Sequence, residues 1–284
     1  MKDQKLKSLE EQQKSDAEQS VRHELTASER VALDFFATAV IWFDTLSCVT
    51  TGSRPAFADH KHVFEDAEGN IRFDRIVGCE NWVVVLIIEI SALSEWKSTQ
   101  VREGSLNKAE LDRRVGGLSL RLTNGMVKCT DSIEAAVAIS ASSVSRARMP
   151  HPILDIRTYI FASAAYVYLQ VTALGAFPEQ TEILEGVSRT SATIKRFQPR
   201  YPELARSVVW PFCVAGCLAA VEHEDDFRSI VATARSQMQS SATLLQALAL
   251  IEECWKSRRS DKLQSGTWDC TRTMRAAGIM LLLV

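Results

Sequence analysis

Glu89 is an acid inside an apolar run, Gly78 to Lys97, that reads GCENWVVVLIIEISALSEWK. An acid there is a candidate for general acid–base work. Asp44 and Arg54 offer a second candidate pair, and Tyr159 and Tyr166 carry hydroxyls on a stretch without charge. Together Glu89, Asp44, Tyr159 and Tyr166 suit a reaction that needs no cofactor. A cyclisation, isomerisation or pericyclic step on a hydrophobic metabolite requires only an apolar pocket, shape control and one or two polar groups. Each residue also has a plainer reading. A carboxylate that pairs with an Arg or caps a neighbouring helix accounts for Glu89 and Asp44, with Arg54 capping the helix end. A tyrosine in a helical core packs its ring and sends its hydroxyl to a partner.

Other residue types point more weakly to chemistry. His60 and His62 form His-x-His in a polar loop, but no third ligand of matched spacing accompanies them, and no metal site is expected. Seven cysteines lie at 48, 79, 129, 213, 217, 254 and 270, an odd and widely spaced set. They read as free thiols packed as small hydrophobes in a reducing compartment. Cys213 and Cys217, at i and i+4, share a helix face without matching C-x-x-C or a paired zinc pattern. Arg146, Arg148 and His151 form a basic break that reads as a solvated loop. Neither a phosphate loop nor a dinucleotide fingerprint nor a nucleophile elbow occurs, so no cofactor is expected.

The elements that must position these residues are helical. Trp82, Leu86, Glu89, Leu93 and Trp96 fall on one stripe, with Val83, Val84, Ile87 and Ile90 opposite. A helix so apolar is surrounded by others. Thr26 and Glu29 have capping-box spacing and open a helix with the core stripe Val31, Phe35, Trp42, Leu46 and Val49. Phe36, Val40 and Phe43 lie beside that stripe, and Gly52 and Pro55 stop the helix. Asn107 and Glu110 repeat the cap signal, and the leucines that follow run to Asn124-Gly125. Gly116-Gly117 inside that element marks a weak point or a close helix contact. Asp131 to Val144 reads as a further Ala/Ser-rich segment. Asp155 opens a long uncharged helix, Pro178 starts the next, and Pro199 and Pro202 end that one. A run from Val208 to Val221, the segment Phe227 to Gln239, and Thr243 to Trp255 follow. Glu222 to Asp226 reads as a solvated turn. The last helix starts near Thr267 to Asp269 and stops at Gly278, and the apolar MLLLV end docks into the core. No strand pattern or repeat emerges. The expectation is an all-α fold, a single multi-helix domain of antiparallel packed helices around a buried central helix. It covers residues 27 to 284, behind a flexible charged tail over residues 1 to 26.

Bulk properties narrow the partners. The formal net charge is -2, so no global field favours nucleic acid or an anionic membrane. The tail shows no apolar core of a secretory signal. Thr158 to Pro178 is uncharged and long enough to span a bilayer, but its Ser, Thr, Gln and Tyr content favours a core helix.

Three segments then converge. Ile41 to Ser47 followed by Thr51 to Pro55, Gly78 to Trp82 with Ile88 to Leu93, and Val209 to Phe212 with Ala215 to Cys217, Trp255 and the Trp268-Asp269 ending stand in order. They resemble the fungal-specific transcription factor domain, the helical part of regulators whose DNA is read by an N-terminal zinc binuclear cluster. The resemblance covers most of the chain from about residue 27. No cysteine precedes Cys48, so that cluster is expected to be missing here. The resemblance implies a regulator-like protein of the nucleus or cytoplasm, linked to secondary-metabolite genes. Its partner would be a DNA-binding transcription factor or a small hydrophobic ligand, with self-association allowed. It implies no catalytic residue. The competing expectation is the cofactor-independent enzyme described above, built on the same scaffold. A closed apolar cavity with converging polar groups would mark the enzyme, and an exposed apolar patch the interaction module.

Overall fold

A computed structural model describes residues 26–65, 71–141, 152–237, 242–261, 268–278 and 283. Among these residues the fold is all-α, without strands. Nine helices have eight or more residues: α1 (Ala27–Thr51), α2 (Asn81–Arg102), α3 (Lys108–Ala141), α4 (Ile153–Leu174), α5 (Thr181–Phe197), α6 (Val209–Cys217), α7 (Glu224–Ser236), α8 (Ala242–Ser260) and α9 (Cys270–Ala277). The proposed tail lies outside the described residues, as do Arg146, Arg148 and His151.

The helix at the centre is α4. It packs against α2, α3, α5 and α6. Twelve of its residues are buried, from Ile156 to Thr172. That explains the uncharged run after Arg157: its faces meet protein over most of their length, so a charge there would be desolvated. The run around Glu89, expected to be central, is instead one wall of this arrangement. It is buried from Val83 to Ile88 and again at Ile90, Ser91 and Leu93. Lys97 of α2 donates to the carbonyls of Thr172 (2.7 Å) and Ala173 (3.0 Å), so a cation from one helix satisfies the C-terminus of another. Burial pushes the Lys97 pKa down.

Local signals for helix ends are largely met. Thr26 and Glu29 form the full capping box, and Gly52 ends α1 in the left-handed region at φ 70°. Asn107 accepts from the Glu110 amide at 3.2 Å, and Asp269 caps α9 through the Arg272 amide at 2.8 Å. Pro211 does not break α6, because it stands in the first turn, where its missing N–H has no partner to lose.

Three expectations need correction. First, α3 runs through Asn124-Gly125 to Ala141 as one helix. Gly125 is a contact point: a Cβ there would lie 2.3 Å from the Trp82 ring. Gly116 and Gly117 make no such contact, since nothing lies within 4 Å of a Cβ at either. Second, Glu224 does not belong to a solvated turn. It is buried in the first turn of α7, paired with Arg259 at 2.5 Å and Arg228 at 3.4 Å. Third, only the C-terminal half of the α1 stripe is core. Trp42, Leu46 and Val49 are buried, whereas Val31 and Phe35 are 68% and 53% exposed. Among the described residues, α1 packs mainly on α2, α9 and the single-turn helix Phe73–Ile76.

Ion pairs join helices at the surface. Asp226 of α7 accepts from Lys195 of α5 and faces His223 at 3.4 Å. Burial pushes the Asp226 pKa up, but the hydrogen bonds from Lys195 and His223 outweigh it and hold the carboxyl below its usual range. A depressed folded-state pKa means stability that is present above the unfolded pKa, about 3.9, and is lost as pH falls through the folded value. Asp226→Asn is therefore expected to lower stability by at most about 1 kcal/mol at neutral pH. The gap to wild type should close below about pH 4. Urea titrations of both proteins at neutral and acid pH measure it. An equal gap at both would show that the pair contributes nothing.

Candidate functional site

The four candidate residues lie in different places. Glu89 lines an open cleft of about 750 Å³ between α2, α3 and the 54–61 segment. Its floor is Ile88, Ala92, Leu93 and Leu118, and its rim carries Arg54, Lys61, Arg113, Arg114 and Arg121. Glu89 Oε1 meets Lys61 Nζ at 2.5 Å and Oε2 meets Arg121 Nη1 at 2.5 Å. Both carboxylate oxygens are thus engaged by cations, as the ion-pair reading expects. Arg114 stacks over Trp96 at 4.2 Å and shares Glu110 with Arg113. Hydrogen bonds from Arg113 and Arg114 hold the Glu110 carboxyl down at about 2.

Asp44 accepts the Ala56 amide at 2.8 Å and fastens the turn after α1. Arg54 pairs with Asp59 and does not cap α1. The cation at that helix end comes from α9, where Arg275 donates to the Thr51 carbonyl. Tyr159 borders a cavity of about 170 Å³ between α3 and α5. Tyr166 lies under the Arg189 guanidinium, 4.9 Å away. The tyrosine buried in the core is Tyr201, and the hydroxyl of the partly buried Tyr168 sits 3.4 Å from Ser91 Oγ, with desolvation pushing its pKa up to about 12. Further cavities of about 490 and 440 Å³ hold none of the four. None of these four cavities is lined by two of Glu89, Asp44, Tyr159 and Tyr166. His60 and His62 have ring centres 6.5 Å apart and join no metal-sized cluster among the described residues.

Two other features stand out. One is the outer side of α1, where Leu33, Phe36, Val40 and Phe43 are 55%, 64%, 53% and 43% exposed. Their spacing of three, four and three residues makes a continuous apolar seam, the pattern of a helix that meets another helix. It is about 15 Å long at 1.5 Å per residue. The window Ala27–Val49 is also long and apolar enough to cross a membrane by length and composition, although 33% of it is buried. The other feature is a group of buried thiols. The sulfurs of Cys213, Cys217 and Cys270 lie within 4.8 Å of one another. All seven cysteines are buried and free, as read from the sequence. Their gathering was not legible, since its members come from helices whose packing no local spacing records.

The scaffold is an all-α domain with an internal hub helix and an open apolar flank. The chain belongs to the fungal specific transcription factor domain family, whose model matches residues 5–284. It is 31% identical over 232 residues to the ustiloxin B cluster transcription factor of Aspergillus flavus, covering 81% of this chain and 38% of that protein. It is 29% identical to the trichothecene biosynthesis transcription regulator of Trichoderma arundinaceum, over 80% of this chain and 49% of the relative. A transcription factor of a Nectria species is 26% identical, over 85% and 40%. The chain thus spans from about two fifths to half the length of these relatives. No solved structure matches it.

Proposed function

We propose that the chain acts in the nucleus as the regulatory part of transcriptional control over a fungal secondary-metabolite gene cluster. It works there by seating an apolar helix of a partner protein on the α1 seam. The observation that carries this reading is the open row Leu33, Phe36, Val40 and Phe43. Exposed apolar patches of this kind, rimmed by polar residues, mark interaction sites. The partner's matching surface is a helix with its own three-four apolar spacing, because knobs on α1 need holes of that geometry. The relatives' roles in ustiloxin B and trichothecene gene control support the assignment to cluster regulation. The cleft at Glu89, ringed by paired ions, fits the interaction module better than a closed reaction chamber.

The test is a deletion strain in which neighbouring transcripts and small metabolites are measured together. Complementation with the wild-type chain is compared with complementation by Phe36→Glu, Phe43→Glu. Transcripts should fall on deletion, return with wild type, and fall by more than about tenfold with the double variant, since losing two buried aromatic anchors costs several kcal/mol of docking energy. Steady transcripts with one accumulating intermediate would overturn the reading in favour of an enzyme. Light scattering of the purified chain distinguishes the proposed partner helix from a second copy: a dimer that the double variant dissolves would overturn the hetero-partner assignment.

A further inference from the structure

We propose that Cys213, Cys217 and Cys270, completed by Cys254, form a structural zinc site inside the helical domain, at the junction of α6, α8 and α9. The inference is independent of what the α1 seam binds. Cys213 and Cys217 present both sulfurs from one face of α6, and Cys270 is the first residue of α9. Their sulfurs lie within 4.8 Å of one another, with Cys213 and Cys270 at 3.4 Å. A zinc ion with four sulfurs at about 2.3 Å sets them about 3.8 Å apart, a spacing those two distances bracket. Cys254 of α8 stands beside the trio, its Sγ donating to the Cys217 carbonyl at 3.5 Å but outside the 4.8 Å group, so zinc would draw it in as the fourth ligand.

The electrostatic surroundings favour charged sulfur. Arg258 places Nη2 3.6 Å from Cys254 Sγ and sends its other bonds to the carbonyls of Cys217, Ala219 and Trp268. Its Nε is buried without a partner, and among the described residues no carboxylate pairs with it. A guanidinium beside four thiols with no anion of its own is neutralised once those thiols are thiolates on a divalent cation, a group of net charge about −2. Zinc binding would release the thiol protons to solvent. A disulfide between Cys213 and Cys270 would use two of the four sulfurs and leave Arg258 without a counter-charge. Complete burial means that the ion is captured as the helices close.

The test uses the full chain purified under reducing conditions from zinc-supplemented cells. Metal analysis should find one zinc per chain. Cobalt exchanged into the same site should give an intense thiolate-to-metal band and the red bands of tetrahedral cobalt. Cys213→Ser and Cys270→Ser should each lower affinity more than about tenfold, whereas Cys129→Ser, buried elsewhere in α3, should retain the metal. If the serine variants do not fold, the cobalt spectrum of the wild type still decides. Metal-free protein with all seven thiols open to alkylation after unfolding would overturn the proposal. A mass two hydrogens lower, with Cys213 joined to Cys270, would overturn it in favour of a disulfide.

Discussion

Trp255→Ala is expected to destabilise the domain by about 3–5 kcal/mol, the range for removing a fully buried aromatic ring from a close-packed core. Trp255 is 1% exposed. Its indole N–H donates to the Gly216 carbonyl at 2.8 Å, and Arg228 lies 5.0 Å above the ring. The loss has three parts: transfer of the ring to water, a cavity between α6 and α8, and the missing hydrogen bond. Trp255→Phe separates them, because it keeps most of the ring. The Gly216 carbonyl also accepts the Ala219 amide at 3.0 Å, so it is not orphaned in that variant. About 1 kcal/mol for the lost bond, plus a smaller cavity term, is expected there. Urea unfolding followed by circular dichroism measures both. A cost under about 1 kcal/mol for Trp255→Ala would mean that α6 and α8 are not packed through this ring.

Two glycine substitutions on one helix should act in opposite directions. Gly125→Ala drives a methyl into the Trp82 ring, whose three nearest atoms would lie at 2.3, 2.6 and 2.7 Å. That ring is held by its own N–H to Glu80 at 2.6 Å. The helix must shift or the ring must leave, at about 1–3 kcal/mol or more. Gly116→Ala meets open space and gains the helix preference of Ala, about 0.5–1 kcal/mol of added stability. The pair is an internal control, since both change the same residue type in α3. Stabilisation by both would show that α2 and α3 do not approach closely at Gly125.

These glycines also show what a sequence reveals and what it hides. Asn124-Gly125 carries a helix-stop signal by its own residue types, and Gly116-Gly117 a packing signal; the structure reverses the two roles. The reversal is decided by Trp82, more than forty residues away, which no local rule consults. Signals contained within a single turn were legible: the Thr26–Glu29 box, the left-handed Gly52, the Asn107 and Asp269 caps. So was the burial of the uncharged stretch in α4, because the run from Thr158 to Leu174 offers no charge to place in water. Periodicity alone could not say which part of an apolar stripe finds a neighbour. Trp42 does and Phe35 does not, although they share one face of α1. The same limit applies to the sites. Glu89 was visible as an anomaly, but its partners Lys61 and Arg121 come from a loop and from another helix. The four thiols are scattered over three helices, and only the Cys213–Cys217 spacing hinted at any grouping.

The first and last helices are tied to each other. Thr271 of α9 donates to the Val49 carbonyl of α1 at 2.9 Å, across 222 residues, and Arg275 donates to Thr51 beside it. During synthesis α1 emerges early and its C-terminal end must wait until α9 has cleared the ribosome before these bonds form. Its buried stripe, Trp42, Leu46 and Val49, therefore stays incompletely covered until the α9 segment has been made, an interval in which chaperones compete with aggregation. A nonsense codon before Cys270 would leave that wait unended, so truncations that remove α9 should behave in the cell as loss of the entire domain.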